Sequence, residues 1–268
     1  MKNKMLLLLI LISVSICNSQ SYNPKPSSSK DKEIISYQYV KEGGLHWMKR
    51  VTREIYVDEK INQVFQYNKK SLFSILKNAI ATGDLQAYSN DTIYPEELEK
   101  NISKEDVEKI MCKIEEFEGI DPNSFEPIII PVPKCIEAKD ITKFRIMEDW
   151  YFDKNTSSMK VHIISIAPIM NVYSTENMYL GTTAMYWLNF DQLRNILIEY
   201  PVFNRANDDA LFTWDDLFLA RTFNSLVIKE SNAFDRKIAE YNTGIDALLE
   251  ADRVEQVLFE TEHDVWSY

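Results

Sequence analysis

Phe144, Ile146, Glu148, Trp150 and Phe152 occupy alternate positions, and no other stretch of this chain restricts the fold as much. A period of two is the side-chain repeat of a β-strand, so these five residues share one face. Asp153-Lys-Asn-Thr-Ser-Ser follows as turn chemistry, and Met159, Val161, Ile163, Ser165 and Ala167 resume the alternation in a return strand that Pro168 limits. The spacing predicts an antiparallel hairpin over about 141–152 and 159–168.

Helices and short strands surround this hairpin. Gly43-Gly44 marks a turn before a short strand from Val51 to Val57, with Val51, Ile55 and Val57 on one side. Ser71 is placed to cap a helix through Leu72, Phe73, Ile75, Leu76, Ala79 and Ile80, which Gly83 terminates. Pro95 opens a further helical stretch. After a cap at Ser103, Val107, Ile110, Met111, Ile114 and Phe117 recur at helical spacing up to Gly119. Pro122, Pro127, Pro131 and Pro133 then exclude a central strand and predict an extended connector along a sheet edge. Met185-Tyr-Trp-Leu reads as a strand, and Leu193, Ile196, Leu197 and Tyr200 as a helix running to Pro201. Thr213 caps a helix expected to contain Leu217, Phe218, Phe223, Leu226 and Val227, with Asp215 and Asp216 suiting its positive end. From about Asn232, Ile238, Tyr241, Ile245, Leu248 and Leu249 share a face, and after a slip near Asp252 come Val254, Val257 and Leu258. That is one long amphipathic helix, or two.

The fold class that follows is α+β, a small antiparallel sheet with a central hairpin packed by helices, plus a C-terminal amphipathic helix. The organisation expected is a leader at 1–19, a disordered linker or arm at 20–40 whose residues 20–33 are polar with no means of packing, an α+β core at 41–228 and a helical tail at 229–268. Inside the core, Arg53-Glu-Ile-Tyr-Val-Asp with Leu72-Phe-Ser-Ile-Leu echoes Met185-Tyr-Trp-Leu-Asn-Phe with Leu217-Phe-Leu-Ala-Arg, a candidate two-fold internal repeat.

Lys2 and Lys4 precede an apolar run from Met5 to Ile12, too short to span a bilayer and laid out like a secretory signal. Cys17 and Ser19 are small residues three and one places before a cut ahead of Gln20. A lipoprotein cut before Cys17 is the alternative, with Ile16 standing where a small residue is needed. The chain is therefore expected to be exported, without a membrane span. The formal charge of −11 becomes −13 once Lys2 and Lys4 leave. So acidic a chain is ill suited to gripping a nucleic-acid backbone, and six glycines leave little for phosphate cradles. Of the three cysteines, Cys112 and Cys135 remain after cleavage; they are a candidate disulfide, the alternative being two separate buried thiols.

Catalytic signatures are scarce. His46, His162 and His263 are far apart, and no pair has metal-ligand spacing, so no metal or cofactor is assigned. No Gly-x-Ser-x-Gly, Gly-x-Gly-x-x-Gly or Walker pattern occurs. Acidic pairs are plentiful, at Glu148-Asp149, Asp208-Asp209, Asp215-Asp216 and Glu262-His263-Asp264. Glu148 stands out because its strand face is otherwise apolar and aromatic; it requires a raised pKa or a cationic partner such as an arginine. Asp91-Thr92-Ile93 fits a short O-glycosylation pattern known from Bacteroidota, or is an ordinary loop. The competing functional classes are a carboxylate-dependent glycan hydrolase and a periplasmic ligand-binding module. Trp214, Tyr241, Leu248, Leu249 and Trp266 are the candidate protein-interface residues, because aromatic and aliphatic anchors dominate interfaces. The tail has two readings, packed on its own domain or laid on a partner. Deleting 229–268 is expected to weaken assembly without unfolding the body.

Several long motifs resemble one family. They are Phe144-Arg-Ile-Met-Glu-Asp-Trp-Tyr-Phe-Asp-Lys with Val161-His-Ile-Ile-Ser-Ile-Ala-Pro, the run from Trp214-Asp-Asp-Leu-Phe-Leu-Ala-Arg to Lys229-Glu-Ser-Asn, Arg50-Val-Thr-Arg-Glu-Ile, and Phe259-Glu-Thr-Glu-His-Asp-Val-Trp. Across residues 45–268 the chain resembles the GldN/PorN family of gliding motility and type IX secretion. The resemblance implies a non-enzymatic periplasmic protein, peripheral to the inner face of the outer membrane. It implies self-association into a ring with a GldK/PorK-like lipoprotein and contact with a GldM/PorM-like periplasmic shaft.

Overall fold

The structure is a computed structural model describing residues 32–37, 45–66, 70–92, 94–120, 127–174, 176, 178–203 and 212–266. The expected leader, most of the arm, the Gly43-Gly44 turn and Asp208-Asp209 lie outside the described residues.

The hairpin is built from β5 (Ile141–Asp153) and β6 (Ser158–Tyr173), joined through a turn at residues 154–157. It lies in a seven-stranded sheet of order β2-β8-β6-β5-β1-β9, with β7 also pairing β6. The other strands are β1 (Leu45–Tyr56), β2 (Ala87–Tyr88), β7 (Tyr179–Ala184), β8 (Trp187–Asn189) and β9 (Leu226–Glu230). The expected strand at Val51–Val57 is thus longer and central, between β5 and β9. On β6 the single alternation breaks. A bulge between Met147 and Glu148 of β5 sets Glu148 against Ile163 but Met147 against Ser165. One extra residue on β6 flips the register of faces. Val161 and Ile163 therefore lie on the Glu148–Trp150 side, and Ile166 replaces Ser165 and Ala167 there. Ser165 and Ala167 turn to the opposite face.

The main core fills one side of the sheet. Ile55, Phe144, Ile146, Ile163 and Ile166 meet α1 (Leu72–Thr82), α3 (Phe190–Leu197) and α4 (Trp214–Leu219). α1 starts where the Ser71 hydroxyl accepts from the Ser74 amide and stops at Gly83, whose φ of 89° suits a residue without a Cβ. A smaller cluster, Ala167, Ile169, Ala184 and Trp187, lies on the other face. α5 (Ile245–Trp266) covers the first face at its far end, placing Ala251, Val254 and Leu258 on Val51, Trp150 and Val227.

Three expected helices are cut short. α2 (Lys104–Met111) keeps its Ser103 cap, but the chain then extends as β3 (Cys112–Ile120), paired with β4 (Pro127–Cys135) in a separate two-stranded ribbon. The proline segment is therefore a strand of a ribbon and not of the main sheet. α4 keeps its Thr213–Asp216 capping box yet ends at Leu219, and Leu226 and Val227 belong to β9. Arg221 adopts a φ of 50°, which breaks the helix and aims its guanidinium at Glu148. The last helix starts at Ile245, not near Asn232. The Asn232 side-chain oxygen accepts from the Phe234 and Arg236 amides, an arrangement that competes with helix. The core–tail boundary expected at residue 228 falls inside β9, and α5 shares a core with the sheet.

Candidate functional site

The residue that the sequence singled out for chemistry sits beneath α5. Alternation along β5 puts Glu148 on the core face at 0 % exposure, and three donors converge on it. Arg221 donates from Nη1 at 2.6 Å and from Nη2 at 3.2 Å, and Trp150 donates from Nε1 at 3.0 Å. Arg53 of β1, 2 % exposed, brings its Nε to 3.3 Å of the same carboxylate and its Nη1 to 3.1 Å of Glu255 on α5. Both guanidinium carbons stand over the Trp150 ring, at 5.5 Å for Arg53 and 5.2 Å for Arg221. A buried carboxylate needs such partners to stay charged. This one joins β1, β5, the segment after α4 and the last helix. It is a structural ion pair, one of the two outcomes its strand position allowed.

The other acidic candidates are likewise engaged. Asp215 takes two hydrogen bonds from Arg194, at 2.7 and 3.1 Å, both side chains being buried. Asp216 accepts from the Thr213 amide at 2.8 Å and pairs with Lys32. Burial raises the pKa of Asp216, but those bonds outweigh it and hold the carboxyl below its ordinary range. His162 lies 3.0 Å from Asp191 at the surface. Among the described residues no group of His, Cys, Asp and Glu is arranged to hold a metal.

Two clefts open on the opposite sheet face, of about 420 and 340 Å³, sharing Thr52, Glu96, Lys229 and Asp235. Lys229, which lines both, pairs with Glu96 at 3.2 Å and Asp235 at 2.8 Å. Arg145 on the floor is held by Glu54 at 2.6 Å. Burial pushes the Glu54 carboxyl up, yet Arg145 and Lys143 outweigh it and lower its pKa. Thr92 lines the smaller cleft with its hydroxyl buried and without a partner. A sugar on that oxygen would require the loop to open.

The candidate interface residues separate. Trp214 is 1 % exposed and packs edge-on against Phe65 at 5.2 Å, so it is core and not a contact residue. Tyr241, Leu248 and Leu249 are exposed, at 42, 51 and 59 %. The side chains of Trp266 and of Glu262-His263-Asp264 lie outside the described residues. The face read from the spacing, Ile245 with Leu248 and Leu249, is turned to solvent, because Ala251, Val254 and Leu258 take the buried side. α5 is consequently apolar on two sides, a pattern one periodicity could not resolve. Cys112 and Cys135 oppose each other in the ribbon register and are bonded.

One feature lacked any sequence signal. Residues 32–37, part of the expected arm, are seated against the body. Arg194 donates from Nη2 to the Ile35 carbonyl at 2.6 Å, Tyr37 lies between Arg194 and His162, and Lys32 pairs with Asp216.

No helix among the described residues is long and apolar enough to cross a membrane. No curated protein matches the chain. The model of the family described as gliding motility associated protein GldN matches residues 40–267, which include the hairpin, the ribbon, the buried Arg53–Glu148–Arg221 cluster and α5. The chain therefore belongs to the GldN family of gliding motility associated proteins.

Proposed function

We propose that this chain is a non-enzymatic structural component of the type IX secretion and gliding machinery. It is exported to the periplasm and lies at the inner face of the outer membrane. There it self-associates in a ring with a GldK/PorK-like lipoprotein and touches a GldM/PorM-like shaft. The observation that carries this reading is the outer side of α5, where Ile245, Leu248 and Leu249 are all more than half exposed. The helix is already anchored by its other side, so this stripe is free for a partner. From Lys229 onward the chain has four basic and ten acidic residues, which favours a basic rim on that partner and a salt-sensitive contact.

Two further features support the reading. A leader-like start and a disulfide both suit an oxidising compartment. The best catalytic candidate, Glu148, is 0 % exposed and already engaged by two arginines and a tryptophan.

The test is the double substitution Leu248→Asp with Leu249→Asp. Both side chains are exposed, so stability should change by no more than about 0.5 kcal/mol per site. Co-purification with the lipoprotein from envelopes, and secretion through the machine, should fall sharply. Intact rings and normal secretion in a strain carrying the double variant would refute the assignment of this face.

A further inference from the structure

Residues 32–37 lie in a groove formed by β6, α3 and α4, and the groove reads them in three ways. It pairs Lys32 with Asp216, binds the Ile35 main chain through Arg194, and holds the Tyr37 ring between Arg194 at 4.7 Å and His162 at 4.1 Å. Burial lifts the Tyr37 phenol to about 12, more than Arg194 lowers it, so the ring is seated as a neutral group. The receptor side is organised by its own contacts. Asp215 fixes Arg194 through two hydrogen bonds, Asp191 holds His162, and Thr213 holds Asp216. The groove's side chains are thus held by contacts within the body as well as by the segment.

The segment is attached differently. Its partners are far off in sequence, 184 residues for Lys32–Asp216 and 159 for Arg194–Ile35. Seven residues, 38–44, including Gly43 and Gly44, join it to β1. Such a link spans up to about 25 Å when extended, enough to reach an adjacent molecule. The Ile35 side chain is 74 % exposed, an apolar group that the home groove leaves uncovered.

We propose that in the assembled protein this groove takes residues 32–37 of a neighbouring copy, so that each subunit is strapped to the next. Exchange of an identical element preserves every contact on the receptor side, which makes it an inexpensive route to association. A head-to-tail strap is heterologous and propagates around a ring. The inference rests on the self-association put forward above and adds its mechanism.

The experiment uses the unmodified exported chain. Equal amounts of ordinary and ¹⁵N-labelled protein are unfolded, mixed, refolded under oxidising conditions and allowed to assemble. A carbodiimide then joins the Lys32 amine to the Asp216 carboxylate as an amide, and the linked peptides are weighed. Strap exchange predicts that half of the Lys32–Asp216 pairs carry one light and one heavy peptide. Large assemblies whose pairs are all of one label would overturn the exchange while leaving self-association standing. A chain that sediments as a monomer throughout would overturn both. Should the carbodiimide leave the pair unjoined, Tyr37→Ala decides. Exchange predicts at least a tenfold rise in the concentration needed for assembly, with the melting temperature unchanged; unaltered assembly refutes it.

Discussion

Glu148 illustrates how a position that looks catalytic along the chain can be held inside an ion-pair cluster. Its burial among aromatic residues is what a proton-transfer acid needs, but the Arg221 guanidinium and the Trp150 indole N–H already hydrogen-bond its oxygens and Arg53 is ion-paired to it. Glu148→Gln leaves Arg53 and Arg221 facing a neutral amide. We expect a loss of about 3–5 kcal/mol, typical of breaking one side of a buried pair, read as a lower urea midpoint. An enzyme-like outcome, full stability with lost turnover, would contradict this account. Asp153 works at the other end of the hairpin. It accepts from Lys160 at 2.8 Å, the Asn155 amide at 2.9 Å and the Thr156 hydroxyl at 3.0 Å. Chiefly through Lys160, its pKa falls to about 2. A depressed carboxyl stabilises the fold above its unfolded value, near 4, and that contribution disappears as pH falls toward 2. Urea unfolding of the wild type and of Asp153→Asn should therefore differ at pH 5 and converge near pH 2.

At the scale of elements, the ribbon shows how prolines and a disulfide can make a strand acceptable outside a sheet. Pro127, Pro131 and Pro133 pair with Ile120, Glu116 and Ile114. All three prolines have the same parity, so their missing N–H groups fall on one edge of β4. A proline can stand only where the ladder requires no donor. That edge is consequently the outer one, closed to further strands. Isolated two-stranded ribbons are marginal in water, and the Cys112–Cys135 bond at the root compensates. Cys112→Ser with Cys135→Ser should cost about 2–4 kcal/mol. Hydrogen exchange should show the lost protection concentrated in residues 112–135. Val132→Pro, of the opposite parity, should disrupt the ribbon where the three natural prolines do not. α5 offers the complementary case. Leu258→Ala on its buried side should destabilise by about 2–5 kcal/mol, whereas Leu248→Ala on the exposed side should leave the melting temperature nearly unchanged.

For the molecule as a whole, the consequence is that the last helix and the segment before it, as far as Trp266, belong to the body. Deleting 229–268 would uncover Val51, Trp150 and Val227, remove the Glu255 partner of Arg53, and cut β9 short. The expectation that the body survives this truncation is therefore replaced. The truncated chain should lose its cooperative melt or melt well below the parent in calorimetry. Partner binding should instead be probed with substitutions on the exposed side of α5.

The linear sequence by itself determined the hairpin, because a period of two over ten residues has no helical equivalent. It also determined the caps at Ser71, Ser103 and Thr213, where a local hydroxyl suffices. Family membership was readable for the same reason, being carried by contiguous motifs. Where α2, α4 and α5 stop or start was decided elsewhere. Cys112 follows a strand path because β4 pairs with it, and Arg221 leaves the helix to reach Glu148. The side of α5 that is buried was also undetermined, since both sides are apolar and only the sheet beneath selects one. Residues 32–37 carry no periodicity at all. They gain a seat from Arg194, His162 and Asp216, which meet only once the sheet and two helices have assembled. Short-range chemistry can be read along the chain; contacts across more than a hundred residues exist only when folding brings their partners together.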